Sequence, residues 1–130
     1  MDYSKHTLLL VDDEAIITMA NAEFLQNIGY SIIKAFSGED AIDLFREGNE
    51  RIDLILMDFD LGKGMNGLET AREISKIRRI PVIFFTSYPE CIIEEKIEFG
   101  LYGYVAKNSN EDELLEAIRS AFKRHYTAGT

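Results

Sequence analysis

The chain has 130 residues, a length that suits one domain with one adequate hydrophobic core. Its 46% hydrophobic and 28% charged content is ordinary for a globular protein, and no apolar stretch is long enough to span a bilayer. The formal net charge of -9 argues against nucleic acid as a partner, because phosphate contacts need clustered Lys and Arg.

Residues 1–6 read as an N-terminal extension, and residues 7–11 as a first strand. A helix is expected from Ala15 to Ile28, with Ile17, Ala20, Phe24 and Ile28 inward and Gly29 as its stop. Ser31 to Phe36 reads as a second strand, and Ser37 is placed to cap a helix over 38–47 whose inward residues are Ala41, Ile42, Leu44 and Phe45. Leu54 to Met57 reads as a third strand, followed by a glycine-rich turn over 62–67 and a helix from Leu68 to Arg78 with Leu68, Ala71, Ile74 and Ile77 inward. Pro81 opens a fourth strand over 82–85, and Pro89 a helix over 90–99 closed by Gly100. Tyr102 to Ala106 reads as the last strand. Ser109 or Asn110 is expected to cap a final helix with Leu114, Leu115, Ile118 and Phe122 inward, and residues 126–130 to form a flexible tail. The basic groups Arg78-Arg79 and Lys123-Arg124-His125 fall where helices end, which suits the negative pole of a helix dipole.

This alternation predicts a parallel sheet covered on both faces, in a single domain over residues 7–125. The first six residues lack the apolar centre of a signal peptide, and the lone Cys91 reads as a packing residue with no internal disulfide partner. The expected setting is cytoplasmic.

Four apolar runs stop at polar residues: Asp12-Asp13, Asp58, Thr86-Ser87 and Lys107. In a parallel sheet these ends share the carboxyl edge, where ligands bind in open α/β folds. Carboxylates gathered there repel one another unless a cation or a proton compensates them. The pattern points to a divalent-metal site with a carboxylate poised for chemistry.

From about Thr7 to Phe122 the chain resembles the receiver domain of two-component response regulators. The likeness lies in Leu10-Val11-Asp12-Asp13-Glu14, Leu56-Met57-Asp58, Val82-Ile83-Phe84-Phe85-Thr86-Ser87 and Gly103-Tyr104-Val105-Ala106-Lys107. The resemblance implies a doubly wound five-stranded sheet of order 2-1-3-4-5. It implies that Asp58 accepts a phosphoryl group, and that Asp12 and Asp13 hold Mg²⁺ (or Mn²⁺) with Asp58 and the backbone carbonyl of Asp60. Lys107 and Thr86 are then the phosphoryl-binding side chains, with the backbone N–H groups of Phe59 and Ser87 as further donors. Tyr104 becomes the aromatic switch residue that turns with Thr86. The implied partner is a histidine kinase or phosphotransfer protein docking on the first helix at Ile16 and Met19; the face around Tyr104 is the implied output or dimer surface.

Three positions depart from the family pattern. Asn108 stands where the family has a proline after a cis peptide, leaving the Lys107–Asn108 bond open between cis and trans. The loop from Phe59 to Gly67 lacks the family proline and is glycine-rich. Tyr88 and Asp60 flank the path of water to an acyl phosphate, which implies an altered lifetime. Two other readings compete with a phosphoacceptor that dephosphorylates slowly. One is a protein-binding module that is never phosphorylated. The other is an aspartate-nucleophile phosphatase, suggested by Asp58-Phe59-Asp60 but lacking the expected Thr or Val at Gly62.

Overall fold

A computed structural model of the chain describes residues 6–62, 64–87 and 101–127. Five strands, β1 (Thr7–Val11), β2 (Ser31–Ala35), β3 (Leu54–Asp58), β4 (Val82–Thr86) and β5 (Leu101–Ala106), form one sheet in the order β2-β1-β3-β4-β5. All four pairings are parallel. The helices described are α1 (Ala15–Ile28), α2 (Gly38–Glu47), α3 (Gly67–Ile77) and α4 (Glu111–Thr127). The helix expected over 90–99, with Pro89, Cys91 and Gly100, lies outside the described residues, as does Tyr88.

Alternation along the strands divides the core in two. Leu9, Val11, Ile55, Met57, Val82 and Phe84 face α2 and α3, where Ala41, Ile42, Phe45, Ala71 and Ile74 complete one cluster. Leu8, Leu10, Leu54, Leu56, Ile83, Phe85 and Val105 face α1 and α4, meeting Ala22, Leu25, Leu114, Ile118 and Phe122. Burial on both faces is why the strands read as continuous apolar runs rather than alternating ones.

Local chemistry sets the helix ends. Ser37 caps α2 by accepting from the Asp40 N–H at 3.1 Å, and Gly48 closes it in the left-handed region at φ 68°. α3 opens on a full capping box, Asn66 with Glu69, so it begins at Gly67, one residue earlier than expected. Gly67 has no alternative there: a Cβ would stand 2.1 Å from the carbonyl oxygen of Asp58. Asn110, rather than Ser109, caps α4 by accepting from the Glu113 N–H at 2.9 Å.

Three expectations need correction. α1 turns Thr18, Ala22 and Leu25 into the core; Ile17, Phe24 and Ile28 are half-buried at its flanks and Ala20 is exposed. Thr18 is tolerated inside because its hydroxyl donates to the Glu14 carbonyl at 3.1 Å. Ile77, in the last turn of α3, is exposed, as is Phe36 just beyond β2. The final helix continues past residue 125, with the Tyr126 hydroxyl donating to the Asp53 carbonyl at 2.6 Å.

Candidate functional site at the carboxyl edge of the sheet

Parallel register brings the strand ends level. Val11 pairs with Met57, Asp58 with Phe85 and Thr86 with Ala106, so Asp12, Asp58, Thr86 and Lys107 emerge along one edge. Asp12, Asp58 and Thr86 are buried, at 5%, 1% and 0% exposure, while Asp13 and Glu14 are exposed at the rim. Carboxylate oxygens of Asp12, Asp13, Glu14 and Asp58 lie within 4.8 Å of one another.

Each acid is oriented by backbone. Asp12 accepts from the Glu14 N–H at 2.8 Å, Asp58 Oδ1 from the Asp60 N–H at 3.0 Å, and Asp13 from the Gly62 N–H at 3.0 Å. Lys107 Nζ stands 3.1 Å from Asp58 Oδ2 and 3.4 Å from Glu14 Oε1. Asp58 Oδ2 is fully buried, and the Lys107 ammonium is its ion-pair partner. Thr86 donates its hydroxyl to Asp60 Oδ2 at 3.3 Å. The Lys107 N–H donates to the Thr86 carbonyl at 2.8 Å, which ties the two residues' backbones together.

Burial raises the pKa of Asp58, against the opposing effect of the Lys107 ammonium. Asp12 is pushed up to about 6, by burial first and by the neighbouring Asp58 carboxylate in addition. Burial works to lower the pKa of Lys107, but its contact with Asp58 and the charges of Asp58 and Asp12 outweigh it, and the net shift is upward. The edge thus holds more negative charge than one lysine compensates. An all-oxygen donor set whose negative charge exceeds that of its one lysine fits a hard divalent cation such as Mg²⁺.

Asp12, Asp13, Asp58, Thr86 and Lys107 are therefore brought together as expected. Tyr104 stands outside the cluster, on β5 beside Phe84, and is 42% exposed. Two expectations change. The Phe59 N–H, expected as a free donor, is spent on the Phe85 carbonyl at 3.0 Å within the sheet ladder. The Lys107–Asn108 peptide is trans. Glu14 was read only as part of a motif, yet it is the second partner of Lys107; its place directly after Asp12-Asp13 was the available signal.

Ile16 and Met19 project from α1 at 84% and 60% exposure. Ile16 lines a groove of about 240 Å³ with Ile17, Ala20, Phe85, Lys107 and Ser109, directly beside the acidic edge.

The chain matches the response regulator receiver domain family over residues 8–119. It is 34% identical over 122 residues to the transcriptional activator protein ExaE of Pseudomonas putida, which covers 91% of this chain and 56% of that protein. The chain therefore spans little more than half of that relative's length. Among solved structures it resembles the response regulator protein TrrA of Thermotoga maritima in complex with Mg²⁺ and BeF, with 35% identity, a TM-score of 0.78, and coverage of 89% of this chain and 98% of that one. It also resembles the N-terminal domain of a response regulator/sensory box/GGDEF three-domain protein from Carboxydothermus hydrogenoformans, with 32% identity, a TM-score of 0.82, and coverage of 93% and 97%.

Proposed function

The chain belongs to the response regulator receiver domain family, and from that premise we propose that it accepts a phosphoryl group on Asp58 from a phosphohistidine. The observation that carries this reading is Asp58 Oδ2: a buried carboxylate oxygen, ion-paired with a lysine, at the edge where the family's ligand sits. In the reaction a carboxylate oxygen of Asp58 attacks phosphorus. The phosphorus–nitrogen bond breaks, and its electron pair returns to the imidazole of the donor.

Asp12, Asp13, Asp58 and the backbone carbonyl of Asp60 hold Mg²⁺ in this reading, with Mn²⁺ as the alternative. The cation supplies neutralisation of the phosphoryl charge among these acids. Lys107 moves its pairing from the carboxylate to a phosphoryl oxygen, and Thr86 turns its hydroxyl toward another. The space that Thr86 leaves admits the Tyr104 ring, a two-state packing element biased by a local change of charge. Water later attacks the same phosphorus and releases phosphate, so Asp58 is regenerated slowly. The domain is a signalling module rather than a turnover enzyme.

The groove beside Lys107, with Ile16 at its wall, suits an apolar helix that carries the donor histidine to the site. Met19 extends that apolar surface along α1. ExaE is a transcriptional activator and the Carboxydothermus protein carries two further domains, which supports an output partner or domain acting through the face around Tyr104. A cytoplasmic setting goes with that role.

The test is intact mass after incubation with Mg²⁺ and acetyl phosphate. One alkali-labile phosphoryl group on the unchanged chain, absent from Asp58→Asn and absent without the cation, is expected. No adduct from acetyl phosphate or from a histidine kinase would leave a protein-binding module in its place.

A further inference from the structure

Asp60 is joined to both halves of the phosphoryl site. Its N–H donates to Asp58 Oδ1 at 3.0 Å, which fixes its backbone beside the acceptor. Its exposed side chain then reaches the buried Thr86, whose Oγ1 lies 3.3 Å from Asp60 Oδ2. A hydroxyl has one proton and an ionised carboxylate has none, so in this pair Thr86 must donate. That proton is committed to Asp60, whatever the Thr86 oxygen accepts in addition.

We infer that Asp60 is a positioning residue that parks the Thr86 hydroxyl on its own carboxylate and so opposes the phosphoryl-bound state. The inference rests on the proposed function, in which Thr86 donates the same single proton to the phosphoryl group. The two bonds exclude each other. Each binding event must break the Thr86–Asp60 contact before the phosphoryl oxygen is satisfied, and a stronger latch means a less populated switched state. Asp60 also places a negative charge at the mouth through which the phosphoryl group enters, a second and separable effect.

The two effects are told apart by a double-mutant cycle on the binding of Mg²⁺ with beryllofluoride, read by calorimetry on the whole chain. Asp60→Ala removes both the charge and the latch; Thr86→Val removes the hydroxyl while keeping the side chain's shape. In the presence of Thr86, Asp60→Ala is expected to tighten binding about thirtyfold, the product of about tenfold for the loss of one charge-assisted hydrogen bond and about threefold for the loss of the charge. In the Thr86→Val background only the charge effect remains, about threefold. Asp60→Asn keeps an acceptor oxygen without the charge and should fall between the unchanged chain and Asp60→Ala. If Thr86→Val unfolds the chain, Thr86→Ala completes the same cycle. Equal tightening in both backgrounds, no tightening at all, or an Asp60→Asn variant indistinguishable from Asp60→Ala would overturn the latch. An unchanged chain that fails to bind beryllofluoride would instead overturn the receiver chemistry, and the latch with it.

Discussion

Asp12 and Asp58 end neighbouring strands in a space with too little water to hold two charges, and Asp12 answers by holding a proton up to about pH 6. The consequence for stability has a definite sign. Between its ordinary value near 3.8 and about 6, the native state keeps a proton that the unfolded chain has released. Stability of the metal-free protein therefore falls as pH rises through that window. Denaturant titrations in a chelator should show this slope, reduced in Asp12→Asn, and Mg²⁺ should restore stability most at the upper end. A flat profile would mean that neither burial nor the Asp58 carboxylate raises the proton affinity of Asp12 in the native state. Asp12, Asp13, Asp58, Thr86 and Lys107 were all legible in the sequence because each stands at or just beyond the end of a strand. The contacts of the Glu14 and Asp60 side chains were not, because both depend on where a side chain reaches from an exposed loop: Glu14 to Lys107, Asp60 to Thr86.

At the scale of elements, the loop after β3 is held at both ends. Gly62 donates to Asp13, Met65 donates to Glu39 of α2 at 3.0 Å, and Asn66 with Glu69 starts α3. Gly67 lets that helix begin against the Asp58 carbonyl. Gly67→Ala should cost about 1–3 kcal/mol in urea denaturation, as overpacking against rigid backbone does. Loss of the cap in Asn66→Ala should cost about 1 kcal/mol. If Gly67→Ala were as stable as the unchanged chain, the loop would not be set by this close approach. The start of α3 was hidden by its own turn: Asn66 and Gly67 read as loop residues until the reciprocal bonds of Asn66 and Glu69 are seen.

The inward face of α1 was legible only in part, for a different reason: Ile17, Phe24 and Ile28 pack against the core from its flanks, but Ala20 does not. Its core positions are Thr18, Ala22 and Leu25, two of them small, while Ile16 and Met19 sit in water. Apolar residues on both sides of a helix blur its periodicity, and here the second side borders the groove beside Lys107. Replacing Ile16 and Met19 together by Glu should slow transfer from a phosphohistidine donor tenfold or more than it slows labelling by acetyl phosphate. Equal slowing of both would remove α1 as the docking surface.

Across the whole molecule, chemistry and anchoring occupy opposite edges of one sheet. At the far edge the Asp53 side chain accepts from the Thr7 N–H at 2.8 Å, and the Asp53 carbonyl accepts from Tyr126, which clasps β1, β3 and the end of α4. His6 and Phe122 close over the same corner with ring centroids 5.1 Å apart. Tyr126→Phe should lower stability by about 1 kcal/mol without preventing phosphorylation of Asp58, since no part of the clasp reaches the acidic edge. The fold class was readable from strand–helix alternation, because the central strands β1, β3 and β4 are buried on both faces; the order of the strands followed from family resemblance, since periodicity carries no information about which strands are neighbours.

The central claim is that Asp58 becomes an acyl phosphate. After phosphorylation with acetyl phosphate and Mg²⁺, reduction with borohydride converts an aspartyl phosphate to homoserine, and peptide mapping locates it. Conversion at position 58 alone is predicted. Conversion at Asp12, Asp13 or Asp60, or no conversion in a protein that carries phosphate, would contradict it.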